Sequence, residues 1–233
     1  FDSHQTTKSD NKKRPSKQEV EGAIEFARRD ERILSSVARR IASLQHPEHE
    51  ALFSWRIVEG SGPTPTATLE LHISGQPSAI AEAILVVVAH AIHREIGVTN
   101  SALSINSIGS GESSGRFVRD IGTYLRRHLE SISPSLRPRV VTDPLGTLVQ
   151  LIEKGHPAVS RAPQPMEYLT EDERRRLREF IEYLEAAKLP YELSGQILGS
   201  RDVWTHTLYE INNIHDETGE TPPIAAGRRH DAT

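Results

Sequence analysis

The chain has 233 residues, 36% of them hydrophobic and 26% charged, with a net charge of −4. That is the balance of a folded chain without the global basic field that marks nucleic-acid binders. The absence of cysteine excludes disulfides, Cys-ligated zinc and a nucleophilic thiol, and no uncharged apolar run reaches the ~18 residues a membrane span needs.

No secretory signal is visible, so the expected compartment is the cytoplasm. The chain starts on Phe1 and stops inside a polar run, and is expected to be a piece of a longer protein.

Residues 1–18 form a polar arm carrying Lys12-Lys13-Arg14. From Lys17 to Leu44 apolar residues recur at helical spacing, Val20, Ile24 and Ala27, then Ile33, Val37, Ile41 and Leu44. His46-Pro47-Glu48-His49 stops that helix, and two histidines beside a proline do not make a zinc site. Ala51–Val58 and Thr66–Ile73 alternate as strands around a Gly/Pro/Ser turn and predict an antiparallel hairpin. Its polar positions Thr68, Glu70 and His72 face either solvent or a pocket.

Residues 77–96 predict a deeply buried helix with Ile80, Ile84, Val87, Val88, Ala91, Ile92 and Ile96 inward. Ala102–Ile108 is a strand leading into Gly109–Gly115, a Gly-rich stretch without the Lys-Ser/Thr of a P-loop, expected to be a flexible connection. The helix after it puts Phe117, Ile121, Tyr124, Leu125 and Leu129 inward and Arg116, Arg119, Arg126 and Arg127 outward. Residues 132–166 are Pro-rich around an amphipathic core, Leu145–Ile152.

Thr170-Glu171-Asp172-Glu173 has the form of a capping box and opens a helix to Lys188 with Leu177, Phe180, Ile181, Leu184 and Ala187 inward. A strand near Tyr191–Leu193 precedes Gly199-Ser200-Arg201-Asp202, which is turn chemistry. From Val203 to Ile211 polar and apolar residues alternate, with polar groups on both faces, as on the floor of a site. A short strand, Pro223–Ala226, is expected near the end. The elements together predict an α+β fold, a mostly antiparallel sheet flanked by helices. The domain expectation is an arm at 1–18, a core at 19–131, a connecting lobe at 132–169 and a second part of the core at 170–233.

Several stretches resemble histidyl-tRNA synthetases, which are class II aminoacyl-tRNA synthetases. Asp202, Thr207, Tyr209 and Glu210 match a loop-strand of the form Arg-Gly-Leu-Asp-Tyr-Tyr-x-x-Thr-x-Phe-Glu. Ala102–Gly109 is similar to a strand ending Asn-Ser-Leu-Gly, and Asp143-Pro144-Leu145 to Asn-Pro-Leu-Arg. Ala162-Pro163 through Tyr168-Leu169 resembles the family's Ala-Pro…Tyr-Leu lead into a helix. Phe53–Gly75 fits its motif 2 hairpin, Gly227–Asp231 its Gly-Gly-Arg-Tyr-Asp, and Arg29–Arg39 a worn Arg-Pro-Glu-Gly-Thr.

The resemblance implies ATP with Mg²⁺ as cofactor, histidine and tRNA as substrates, and a homodimer. It also allows a partner enzyme, because the regulatory subunit of ATP phosphoribosyltransferase is built on the same fold. Substrate-binding positions carried over are Glu31, Thr68, Glu70, His72, Asp202, Thr207, Tyr209 and Arg229. The cations that adenylyl transfer requires are replaced: the motif 2 Arg falls on Ser54, its Glu on Arg56, the loop Gly-Arg on Ser61-Gly62, and the second catalytic Arg on Gly199. The Glu that would hold the substrate amine falls on His72. Arg56 and Arg201 are the residues placed to supply cations from new positions. The resemblance therefore implies either a non-aminoacylating paralogue acting in binding or regulation, or a divergent ligase.

Overall fold

The computed structural model describes residues 51–59, 67–75, 78–198, 205–214 and 223–229, all within a unit spanning Ala51–Thr233. The expected helix over 17–44 lies outside them, as do Glu31, Arg201 and Asp202. The first two strands, β1 (Leu52–Glu59) and β2 (Ala67–Ser74), pair antiparallel as expected. Their register sets Phe53 opposite Ile73, Trp55 opposite Leu71 and Ile57 opposite Leu69. Side chains alternate across a strand, so these pairs share one largely apolar face, which also carries Glu59 opposite Ala67 at its end. The other face pairs Ser54 with His72, Arg56 with Glu70 and Val58 with Thr68.

Five α-helices are described: α1 (Ala79–Glu95), α2 (Gly111–Arg127), α3 (Arg139–Thr142), α4 (Pro144–Glu153) and α5 (Glu171–Ala186). A four-stranded sheet is built from β3 (Ser101–Ser107), β4 (Glu192–Leu193), β5 (Thr205–Asn213) and β6 (Pro223–Arg229), in the order β4-β3-β5-β6. The β3–β4 pair is parallel and the other pairs are antiparallel. This is the expected mostly antiparallel α+β architecture. Leu103, Ile105 and Ile211 on one face of the sheet pack with Phe180 and Leu184 of α5 and with the small residues of α1. Each large side chain buried there contributes about 1.5–3 kcal/mol of apolar transfer.

The buried face of α1 differs from the expected one. Ala79, Ala81, Ala83, Val86 and Ala89 are buried, whereas Ile80, Ile84 and Ile96 are exposed. The helix lies against α5, β2, β5 and β6, and alanines permit that close approach where isoleucines would hold the elements apart. An apolar surface nearly all round this helix made the two faces look alike.

A second core joins α2 to the Pro-rich segment. Phe117, Ile121 and Leu125 meet Leu145, Leu148 and Leu151 of α4, with Ile132, Leu136 and Val140 completing the cluster. The Gly109–Gly115 stretch is not a loop throughout, since α2 begins at Gly111. Gly109 has φ +71° and a Cβ there would sit 2.7 Å from Ser113 Cβ, so only glycine fits this turn.

Glu173 joins the starts of two helices. It completes the capping box of α5, with Thr170 Oγ1 accepting from the Glu173 N–H and the Glu173 carboxylate accepting from the Thr170 N–H at 2.7 Å. The same carboxylate accepts from the Ser110 N–H and the Ser113 hydroxyl of α2, each at 2.6 Å. Burial alone would raise this carboxyl. The hydrogen bonds from Ser113, Ser110 and the Thr170 backbone outweigh burial and hold it down at about 2.

A folded-state value below the unfolded one stabilises above the unfolded pKa and is lost as pH falls toward about 2. Glu173→Gln is therefore expected to cost roughly 3 kcal/mol at pH 7 in urea unfolding. Its deficit against the parent chain should shrink by about half by pH 3.

Candidate functional site

Glu82 stands in the first turn of α1, where the helix dipole favours a negative charge. It is the one Asp, Glu, Lys or Arg between residues 79 and 93. Its carboxylate accepts from the Thr207 hydroxyl of β5 and from Arg176 of α5 at 2.5 Å, and lies 3.4 Å from an Arg229 guanidinium nitrogen on β6. The three ionised side chains are 14–20% exposed. One carboxylate thus binds α1, α5, β5 and β6 at the helix-covered face of the sheet. Sequence reasoning passed over Glu82; the available signal was a lone acid in a long apolar run, which must find partners or stay solvated.

Thr207 and Arg229, two of the expected substrate-binding residues, are members of this cluster. Tyr209, two residues along β5, packs with the core beneath the sheet. Its ring lies over Gly227, directly opposite on β6, where any Cβ would collide with it. The alternation expected from Val203 is interrupted before Thr207: His206 has φ +54°, and the β5–β6 register shifts between Thr205 and Leu208. The His206 N–H donates to the Gly109 carbonyl at 2.7 Å, and its carbonyl accepts from the Ile108 N–H at 3.0 Å. A β-bulge of this kind re-aims the following side chains, and here it delivers Thr207 to Glu82.

The opposite face of the sheet is polar in its middle row. Glu192, Ser104, Glu210 and Ala226 stand side by side across the four strands. Ser104 donates to Glu192 at 2.6 Å, and burial pushes the Glu210 carboxyl up. Asn106 is fully buried; it donates to the Ile197 carbonyl at 2.8 Å and accepts from the Ser107 N–H at 2.8 Å. Polar groups on both faces of β5, expected from its sequence, are present.

On the hairpin, Arg56 is ion-paired with Glu70 directly across the strands. His72 lies 3.8 Å from the same carboxylate. Burial lowers the His72 pKa, opposed by Glu70 and assisted by Arg56. Thr68 is exposed. The described candidates therefore gather around two carboxylates, Arg56 and His72 at Glu70, and Thr207 and Arg229 at Glu82. Among the described residues no group of three or more His, Asp or Glu is arranged to hold a metal ion, and no helix is long and apolar enough to cross a membrane.

Comparison with known proteins agrees with this architecture. The histidine–tRNA ligase of Rubrobacter xylanophilus is 29% identical over 157 residues, 67% of this chain and 36% of that protein. The corresponding ligase of Vesicomyosocius okutanii is 27% identical over 161 residues, 69% of this chain and 38% of its own length. The chain is similar to histidine–tRNA ligases. It spans little more than a third of the curated relatives it matches. The crystal structure of apo Staphylococcus aureus histidyl-tRNA synthetase superposes with a TM-score of 0.63 at 16% identity, covering 83% of this chain and 46% of that one. This is the class II synthetase fold. No protein-family model matches the chain.

Removing the carboxylate of Glu82 takes from Arg176 and Arg229 the anion that both share. Glu82→Ala is expected to cost about 3–5 kcal/mol in urea unfolding. A double-mutant cycle with Arg176→Ala should show a coupling of about 1–3 kcal/mol. Additive effects would show that the cluster does not act as a unit.

Proposed function

We propose that this chain is a histidyl-tRNA synthetase-like module that does not aminoacylate and serves in binding or regulation, as a homodimer in the cytoplasm. The observation that carries this reading is the state of its arginines. Adenylyl transfer needs cations free to meet the α-phosphate. Arg56 is already ion-paired with Glu70, and Arg229 lies in the Glu82 cluster with Arg176. Where the family places its own cations, this chain has Ser54, Ser61-Gly62 and Gly199.

The donors present among the described residues do not fit ATP with Mg²⁺. The described arginines aligned near the site, Arg56 and Arg229, are paired with carboxylates. The fold is kept for other reasons, and its partner in this reading is a second protein or tRNA held as a ligand without turnover. A divergent ligase is the second reading, favoured by the 27–29% identity to histidine–tRNA ligases. It would rest on Arg201, two residues from Gly199, together with Arg56 and Arg229.

Histidine-dependent ATP–pyrophosphate exchange separates the two. The expected rate is at most about one thousandth of an active ligase, since loss of one oriented donor alone costs about 10²–10³. Robust exchange that falls on Arg201→Ala would establish the ligase instead.

A further inference from the structure

The described sheet ends at β4, whose two residues, Glu192 and Leu193, are both exposed. They stand opposite Ser104 and Ile105 of β3, and the next residue, Ser194, donates its N–H to the Ile105 carbonyl at 2.9 Å. Backbone groups of successive residues alternate between the two sides of a strand, so the Leu193 N–H and C=O point away from β3 to the open edge. Beside this edge lies a cavity of about 250 Å³. Leu148 and Ile152 of α4 and Val159, Ala162 and Pro163 of the Pro-rich segment give it apolar walls, and Leu193 borders it from β4. Ser194 and Gln196 add neutral polar groups, and no lining residue is charged.

We infer that this edge and cavity take up an extended peptide of a partner protein, anchored by one uncharged apolar side chain. The inference rests on the binding role of the proposed function and names the chemistry of the partner. Three observations select that occupant. The Leu193 N–H and C=O form the donor–acceptor pair to which a peptide backbone adds as a further strand. At about 250 Å³ the cavity is smaller than the ~300–1,000 Å³ of sites that hold a drug-sized ligand or cofactor, and it suits a single side chain. Its neutral lining offers no counter-charge, so an acidic or basic anchor would be buried unpaired at high cost.

Amide chemical shifts of the full chain, followed by heteronuclear NMR, test this with acetylated and amidated pentapeptides of the form Ser-Ala-X-Ala-Ser. With leucine at X, the peptide should shift the amides of Leu193, Ser194, Gln196, Val159 and Ala162 and saturate with a Kd of about 1 mM. Glutamate or lysine at X should weaken binding at least about tenfold. N-methylation of the peptide's backbone amides, which removes the strand-pairing donors, should do so as well. Ser160→Trp, at an exposed residue lining the cavity, should block binding by filling it. The peptide variants are read on the wild-type chain, so they decide the matter should Ser160→Trp misfold. No saturable shift at these amides, or equal binding of the N-methylated peptide, overturns the inference, and the binding role then still stands if pyrophosphate exchange is negligible. Robust exchange would remove the binding role itself, and the inference with it.

Discussion

The arrangement of helices on the sheet depends on one carboxylate. Glu82 enters from the start of α1 and reaches Arg176 on α5, Thr207 on β5 and Arg229 on β6. Burying a charge is costly, and the cost is met only when partners surround it. Three elements therefore have to arrive at the same point as α1 for the fold to close. The bulge at His206 belongs to this requirement, because it turns Thr207 toward Glu82 at the expense of a backbone conformation that residues other than glycine rarely adopt. Glu173 plays a similar part at the other end of α5, drawing the starts of α2 and α5 together.

The same cluster bears on function. An adenylating site must present uncompensated positive charge where phosphate will lie, and a guanidinium satisfied by a carboxylate of its own chain is a poor candidate. Arg229 sits where the resemblance to histidyl-tRNA synthetases places a binding residue, yet its position beside Glu82 and Arg176 gives it a structural task. Arg56 and Glu70 repeat the pattern on the hairpin. Both pairs stabilise the scaffold with groups that a catalyst would leave available. In the proposed reading, a chain that does not aminoacylate can make that exchange and keep its architecture for recognition.

Much of this was legible in the residues, and the exceptions have physical causes. The capping box at Thr170–Glu173 is a local pattern with a local meaning, and it forms as written. The hairpin register follows from strict alternation on both strands. The inward face of α1 is not legible in its sequence because its surface is apolar nearly all round, so periodicity does not choose between alanine and isoleucine; the close approach of α5 and the sheet does. Helix α2 starting at Gly111 was hidden by glycines that usually signal a loop. The role of Glu82 is not legible because its partners are up to 147 residues away along the chain, and no local pattern announces such a meeting. Of the expected site residues, Thr207, Tyr209 and Arg229 come together on the sheet, Arg56, Glu70 and His72 on the hairpin, and Glu31, Arg201 and Asp202 lie outside the described residues.

In the proposed reading, the described arginines held by carboxylates of the same chain are not available to a nucleotide. Isothermal titration calorimetry of ATP into the full chain, with and without Mg²⁺, tests it most directly. The account predicts no saturable heat at ATP concentrations up to about 1 mM, an affinity weaker than about −4 kcal/mol. Micromolar, Mg²⁺-dependent binding that disappears in Arg229→Ala would contradict it.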